Sequence, residues 1–371
     1  MVLAMRIVVV GGGVIGLSVA WRAATVGMSV TVVDPSPGSG ASGVAAGMLA
    51  PVTEVHYGEE ALLALNLDSS RRYPGFVAAL EEQCGISTGY RPSATIAVAR
   101  HADDLAALGE LVRYQRQLGL DVERLRSREL RRLEPGLAPG VRGGALVAGD
   151  HQIDPRRLVA ALLEGCRRAG VRLRRESAVG VAGRSVSVGT GDVEPGDAVV
   201  LAAGCWSGTI SGMPEAAVPP VRPVKGQVLR LRGTVAEPPL SHNIRGLDAY
   251  LVPRSDGEVV VGATVEELGF DTVVTAGAVH DLLRAALELV PGVAELALVE
   301  TSAGLRPGTP DNAPLLGATG VDGLVVATGH YRNGVLLAPV TADAVVELLS
   351  TGVTPDEIAP FSPPRFERVA S

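Results

Sequence analysis

Three glycines near the N-terminus, Gly11, Gly13 and Gly16, stand in the spacing GxGxxG. That spacing holds a pyrophosphate against bare backbone. The first glycine permits a tight turn, the second lets backbone approach the phosphates, and the third lets a helix sit close on a strand. Asp34 follows Gly11 by 23 positions, near the separation of roughly 20 at which an acid receives ribose hydroxyls. A second residue of chemical interest is Arg306, in SAGLRPGTPDNAPLLG (302–317), a lone cation among glycines, prolines and small apolar residues. A guanidinium is permanently charged and costly to bury alone. In what reads as a loop, it is either a solvated or ion-paired surface residue or the anchor of an anion.

These residues need elements to position them. RIVVVGGGVIGLSVAWRAATVGMSVTVVDPS reads as strand, turn, helix, strand. Ile7–Val10 is an unbroken β-branched run, as in a parallel strand buried on both faces. The helix is expected from about Val14 to Val26, with Gly27 as its C-cap. Its N-terminal amides and dipole favour phosphate. Asp34 ends the second strand. This context makes the glycine motif a dinucleotide site, without separating FAD from NAD.

Two later stretches bear on that choice. GDAVVLAAGCWSG (196–208) holds a buried strand, Ala198–Leu201, and DGLVVATGHYRNGVLLAP (322–339) holds another, Leu324–Ala327. Both end in glycine, like parallel strands whose C-terminal ends face a ligand. The turn Arg332–Asn333–Gly334 is expected to start a helix whose amides meet a ligand that gains negative charge. A reduced flavin is such a ligand; two ordinary sheet strands with tight turns fit the same residues. In HQIDPRRLVAALLEGCRRAGVRLRRESAVGVAG, Asp154 is the N-cap and Pro155 opens the helix. VRPVKGQVLRLRG and AYLVPRSDGEVVVGATVEE instead read as hairpin strands.

Length and composition bound the rest. A chain of 371 residues is expected to form two domains, and 47% hydrophobic content supplies their cores. A net charge of −7, without a basic run, argues against a nucleic-acid partner. No apolar run reaches the roughly 18 residues that span a membrane. Cys84, Cys166 and Cys205 form no CxxC and no metal-ligand spacing. They read as idle thiols of a cytoplasmic protein, and no metal site is expected.

Together these residues resemble the FAD-dependent amine and amino-acid oxidases of the D-amino-acid oxidase superfamily, most of all the glycine oxidases of thiamine biosynthesis. The resemblance runs nearly end to end. It rests on GGGVIGLSVAWRAA, ASGVAAGMLAP, AYLVPRSDGEVVVGATVEE, AGLRPGTPDNAPLLG and GHYRNGVLLAP; the last three are the most specific. It implies an α/β and α+β protein with a discontinuous Rossmann-like FAD-binding domain (1–85, 141–215 and 300–371). A substrate-binding domain with a large mixed or antiparallel sheet (86–140 and 216–299) would cover the flavin ring.

The resemblance also implies roles. Arg306 would grip the substrate carboxylate, since a planar guanidinium holds both oxygens. Tyr250 would donate its hydroxyl to the same group, while Arg332 and Met48 would line the pocket beside the flavin. Non-covalent FAD would be held by Gly11, Gly13, Val14, Ile15, Gly16, Asp34, Ser42, Ala46, Gly47, Met48, Val179, Ala203, Gly204, Trp206, Arg306, His330, Arg332, Asn333, Gly334 and Val335. No cysteine follows Cys205, which argues against a covalent flavin near the arginine segment. No general base is required; Tyr250, Arg306 and Arg332 orient the substrate, and His330 is a supporting residue. His56 sits in a stretch expected to lie over the site.

The implied reaction is oxidation of glycine with oxygen and water to glyoxylate, ammonia and hydrogen peroxide. The first product is an imine that would feed thiazole assembly. Sarcosine and small D-amino acids are secondary substrates. A homo-oligomer, specifically a tetramer, is expected from the same resemblance. The chain departs from glycine oxidases at Asp248, where a histidine often stands, and at Val265, where methionine is common. A sarcosine or D-amino-acid oxidase, a quinone-linked dehydrogenase, a non-catalytic flavoprotein and, weakest, an NAD-only dehydrogenase are the rival readings.

Overall fold

The computed structural model describes residues 4–235 and 240–366. A six-stranded sheet has the order 315–318, 324–328, 198–201, 6–10, 29–33, 172–174. Its inner strands run parallel, and Leu315–Ala318 adds antiparallel at one edge. The central strand Arg6–Val10 is covered on both sides. Ile7 and Val9 pack on the helices Val14–Thr25, Glu60–Cys84, Pro155–Arg168 and Ala338–Thr351. Val8 and Val10 pack on a three-stranded meander from Ala178 to Pro195. Alternate side chains leave opposite faces of a strand, so burial on both faces is what the unbroken β-branched run encodes.

The local signals hold closely. The first helix spans Val14–Thr25, and Gly27 follows at φ +90°. Asp154 caps Pro155–Arg168, its side chain accepting from the amides of Arg156 and Arg157 at 2.9 and 3.2 Å.

An eight-stranded sheet has the order 297–308, 222–232, 258–262, 250–253, 243–245, 95–99, 143–147, 123–126. It is antiparallel except where Asn243–Arg245 meets Thr95–Ala99. Helix Ala276–Leu289 covers one face; the other turns toward the six-stranded sheet.

Two expectations change. Arg306 is not in a loop: Ala297–Gly308 is one long strand, whose pairing with Arg222–Arg232 runs through GLRPG. Proline suits it because this is an edge strand. The turn at 331–334 is a single 3-10 turn, Tyr331–Asn333, and the α-helix begins only at Ala338. The large sheet also takes Gly143–Val147 and Ala297–Gly308.

Candidate active site

A cavity of about 910 Å³ lies between the two sheets. Its inner end is the glycine motif. Gly11, Gly13, Val14 and Ile15 line it, with Asp34 at the end of the neighbouring strand. The Asp34 carboxylate accepts from the amides of Gly12 and Ser36 at 2.6 and 2.7 Å, and Ser42 accepts from the Val14 amide at 3.0 Å. Gly16 is not on the wall. A Cβ there would stand 2.0 Å from the Gly11 carbonyl oxygen, so this glycine brings helix against turn.

Gly13 tests whether a dinucleotide fits. A Cβ at this position would come no nearer to protein than 3.6 Å, to Ser42 Oγ. The packed protein therefore tolerates a side chain here; a ligand close to the backbone would not. Bare backbone at a helix start, with a carboxylate one strand away, fits pyrophosphate and ribose.

The middle of the cavity collects the other expected residues. Ala46, Gly47, Met48, Val179, Ala203, Gly204, Trp206, His330, Arg332, Asn333, Gly334 and Val335 all line it. His330 is buried, with Nε2 3.1 Å from Thr341 Oγ1. Burial pushes its imidazole down to about 3, so it is uncharged and supports the wall. Cys205 also lines the cavity, and burial pushes its thiol up to about 12. It offers no thiolate at neutral pH.

The outer wall belongs to the large sheet, and strand register builds it. Arg306 pairs with Val224 and Gly304 with Gly226; Gly262 is opposite both Val228 and Tyr250, and Arg245 is opposite Tyr250. Directly opposed residues share a face, so Arg306, Gly226, Gly262, Tyr250 and Arg245 all project toward the cavity, and all line it. The glycines make room. A Cβ on Gly226 would stand 2.3 Å from an Arg306 guanidinium nitrogen, and one on Gly262 would stand 2.4 Å from the Tyr250 hydroxyl. Arg306 thus lies flat over one strand and Tyr250 over the next, about 4.8 Å away.

The cations on this wall differ. Arg306 Nη1 donates to the carbonyls of Lys225 and Thr264 at 3.3 and 3.1 Å. Among the described residues no carboxylate lies within 4.0 Å of its guanidinium. Arg245 pairs with Glu54, and the same carboxylate is 3.9 Å from Arg332 Nε. Arg332 also stands over the Tyr331 ring at 5.2 Å. Burial raises the pKa of the Tyr250 phenol, with Arg306 the largest opposing influence, so it remains a neutral donor.

Sequence reasoning missed Glu54, Arg245, Gly226 and Gly262. Glu54 and Arg245 are 191 positions apart, and no local pattern joins them. His56 does not line the cavity; Glu54, from the same stretch, does. Asp248 and Val265 do line it, both exposed at the mouth.

A family profile described as "FAD dependent oxidoreductase" matches residues 6–348. The glycine oxidase of Geobacillus kaustophilus is 34% identical over 365 residues, 96% of each chain. The crystal structure of glycine oxidase from that organism superposes with a TM-score of 0.90 at 32% identity, covering 97% of this chain and 98% of that one. The Bifunctional protein ThiO/ThiG of Synechocystis is 35% identical over 373 residues, 97% of this chain and 54% of that protein. The chain thus spans about half the length of that relative. Hydrogen cyanide synthase subunit HcnC of Pseudomonas aeruginosa is 31% identical, with 97% and 96% covered. With the family profile covering residues 6–348 and full-length relatives above 30% identity, this chain belongs to the family of FAD-dependent oxidoreductases.

Proposed function

We propose that this protein is a glycine oxidase. It converts glycine, oxygen and water to glyoxylate, ammonia and hydrogen peroxide, and its imine product feeds thiazole assembly in thiamine biosynthesis. One observation carries the reading: Arg306 is a cation with no carboxylate partner among the described residues, laid over Gly226 beside the Tyr250 hydroxyl, on the wall facing the glycine turn. That arrangement accepts a small carboxylate in a fixed orientation.

Gly11, Gly13 and Asp34 would hold the FAD pyrophosphate and ribose, and the Ala46–Met48 and His330–Val335 segments would flank its ring. FAD held there would supply the hydride-accepting chemistry that the substrate Cα requires and the route of its electrons to oxygen. The protein's own part is orientation. Arg306 grips the carboxylate, Tyr250 donates to it, and the Glu54–Arg332–Arg245 cluster keeps the remaining guanidinium charge occupied. His330, neutral and buried, takes no proton.

Segments of the six-stranded sheet form the FAD-binding domain in this reading, and the eight-stranded sheet carries the substrate wall. The same reading places the enzyme in the cytoplasm, consistent with three free buried thiols, as a homo-oligomeric tetramer that sizing would test. Asp248 and Val265 at the mouth favour a second reading, a sarcosine or small D-amino-acid oxidase on the same scaffold.

Anaerobic mixing with glycine, sarcosine and D-alanine in turn decides between them. Glycine bleaches the flavin band and air restores it with peroxide if the first reading holds. Bleaching by the other two alone selects the second. A flavin that no amino acid reduces removes both.

A further inference from the structure

Arg254 takes no part in the wall that faces the substrate. It follows the strand Tyr250–Pro253 and is only 6% exposed. Its fork donates to the Ile153 carbonyl at 2.7 Å, to Gln152 Oε1 at 3.0 Å and to the Ala46 carbonyl. Among the described residues no carboxylate comes within 4.0 Å of it, and its Nε has no partner. The polar groups it touches are neutral too: the Asp154, Asp256 and Glu258 carboxylates favour its charge and the Arg230 guanidinium opposes it, but none makes an ion pair with it. Gln152 donates to Asn243 and Ser93 at 2.9 and 3.2 Å, and Asn243 donates to Thr95 at 3.1 Å. Burial pushes the guanidinium down to about 10, which leaves it charged at neutral pH.

A buried cation served only by neutral oxygens is a poor stabilising device. Its location supplies another use. Side chains alternate along a strand, so Tyr250, Val252 and Arg254 share one face. Val252 packs with Ala46, Met48 and Tyr250. Arg254 then grips both backbones that pass beneath, Ala46 on one side and Ile153 on the other. Between them Gly47 is left-handed at φ +76°, and its missing Cβ would stand 2.1 Å from the Ile153 oxygen. Ala46, Gly47 and Met48 line the cavity. One side chain therefore joins the strand that bears Tyr250 to the segment that walls the cofactor. Its donation into the Ala46 carbonyl also polarises the Ala46–Gly47 peptide, which makes the Gly47 amide a stronger donor.

We propose that Arg254 is a positioning residue for the flavin: its fork fixes the Ala46–Met48 wall in register with Tyr250, and its unpaired charge favours the reduced cofactor over the oxidised one. The proposal rests on FAD binding alone, not on the choice of amino acid.

The test uses the FAD-loaded protein with Arg254→Lys and Arg254→Gln. FAD affinity of the oxidised form is measured, and the midpoint potential is read against a reference dye under chemical reduction, without substrate. Arg254→Gln is expected to lower the potential, so that reduced FAD loses about tenfold in affinity relative to oxidised FAD, the scale of one charge felt across a protein interior. Arg254→Lys keeps the charge but not the fork; it should keep the wild-type potential while binding oxidised FAD more weakly. A wild-type potential in the Gln variant overturns the proposal. So does a lowered potential in the Lys variant, which remains decisive if the Gln variant fails to fold. No amino acid enters this assay, so its outcome does not depend on whether glycine is the substrate.

Discussion

The two walls of the cavity are built differently, and in the proposed site they would recognise charge by different means. The inner wall is backbone: a glycine turn, a helix start and one carboxylate, all within residues 11–34. The outer wall is side chains: Arg306, Tyr250 and Arg245 come from three strands and meet only because register aligns them. A phosphate pair can be met by any backbone of the right shape. A small carboxylate that must present one particular bond needs directed donors at a fixed spacing. The inner wall therefore depends on what is absent, side chains at glycines, and the outer wall on what is present.

That contrast can be broken most strongly from the outside. Arg306→Ala should raise the KM for glycine by the equivalent of about 2–5 kcal/mol, the usual cost of removing one member of a hydrogen-bonded charge pair. The protein should stay yellow. Unchanged glycine kinetics would take Arg306 out of the site.

Gly13→Ala probes the inner wall. Its nearest neighbour would be 3.6 Å from the new Cβ, so apo-protein stability should fall only by the preference for glycine over alanine at a helix N-cap, about 1 kcal/mol. FAD affinity should fall by roughly tenfold or more, about 1.4 kcal/mol. Wild-type FAD binding would show that no ligand approaches the backbone here.

Tyr250→Phe separates the anchor from its helper. It should cost about 0.5–3 kcal/mol in glycine kcat/KM, the range for one hydrogen bond to a charged group, and leave FAD affinity alone. A cost equal to that of Arg306→Ala would mean that the two act as one unit.

The mildest test is by pH. In the folded protein His330 stays neutral down to about 3, whereas in the unfolded chain it protonates below about 6.5. The unfolded state therefore binds more protons between these values, and stability present above pH 6.5 is lost as pH falls through that window. His330→Gln should flatten the dependence of the urea midpoint between pH 7 and pH 5. An unchanged slope would show that His330 is solvated when folded.

The inner wall was legible in the sequence because its parts are neighbours in the chain. A strand, a glycine turn, a helix and an acid 23 positions on are set by local backbone preference and β-branched burial. The N-cap at Asp154 was legible for the same reason. The GLRPG segment was not: its glycines and prolines read as a loop, and only pairing with Arg222–Arg232 makes it a strand. Arg306 and Tyr250 could be named from family resemblance, but nothing local says that they face one another.

By itself, then, the sequence determined a strand, glycine turn, helix and strand ending in an acid, and the identity of the available cations. Only the tertiary structure decided which cation on the cavity wall has no carboxylate partner among the described residues. Glu54 takes up Arg245 and approaches Arg332 across long separations, Gly226 and Gly262 clear the space for Arg306 and Tyr250, and Arg254 turns inward to neutral carbonyls. The reason is range. A turn or a cap is settled by a few adjacent dihedral angles, whereas charge pairing across a sheet depends on register, and register is fixed only when distant strands bury their faces together.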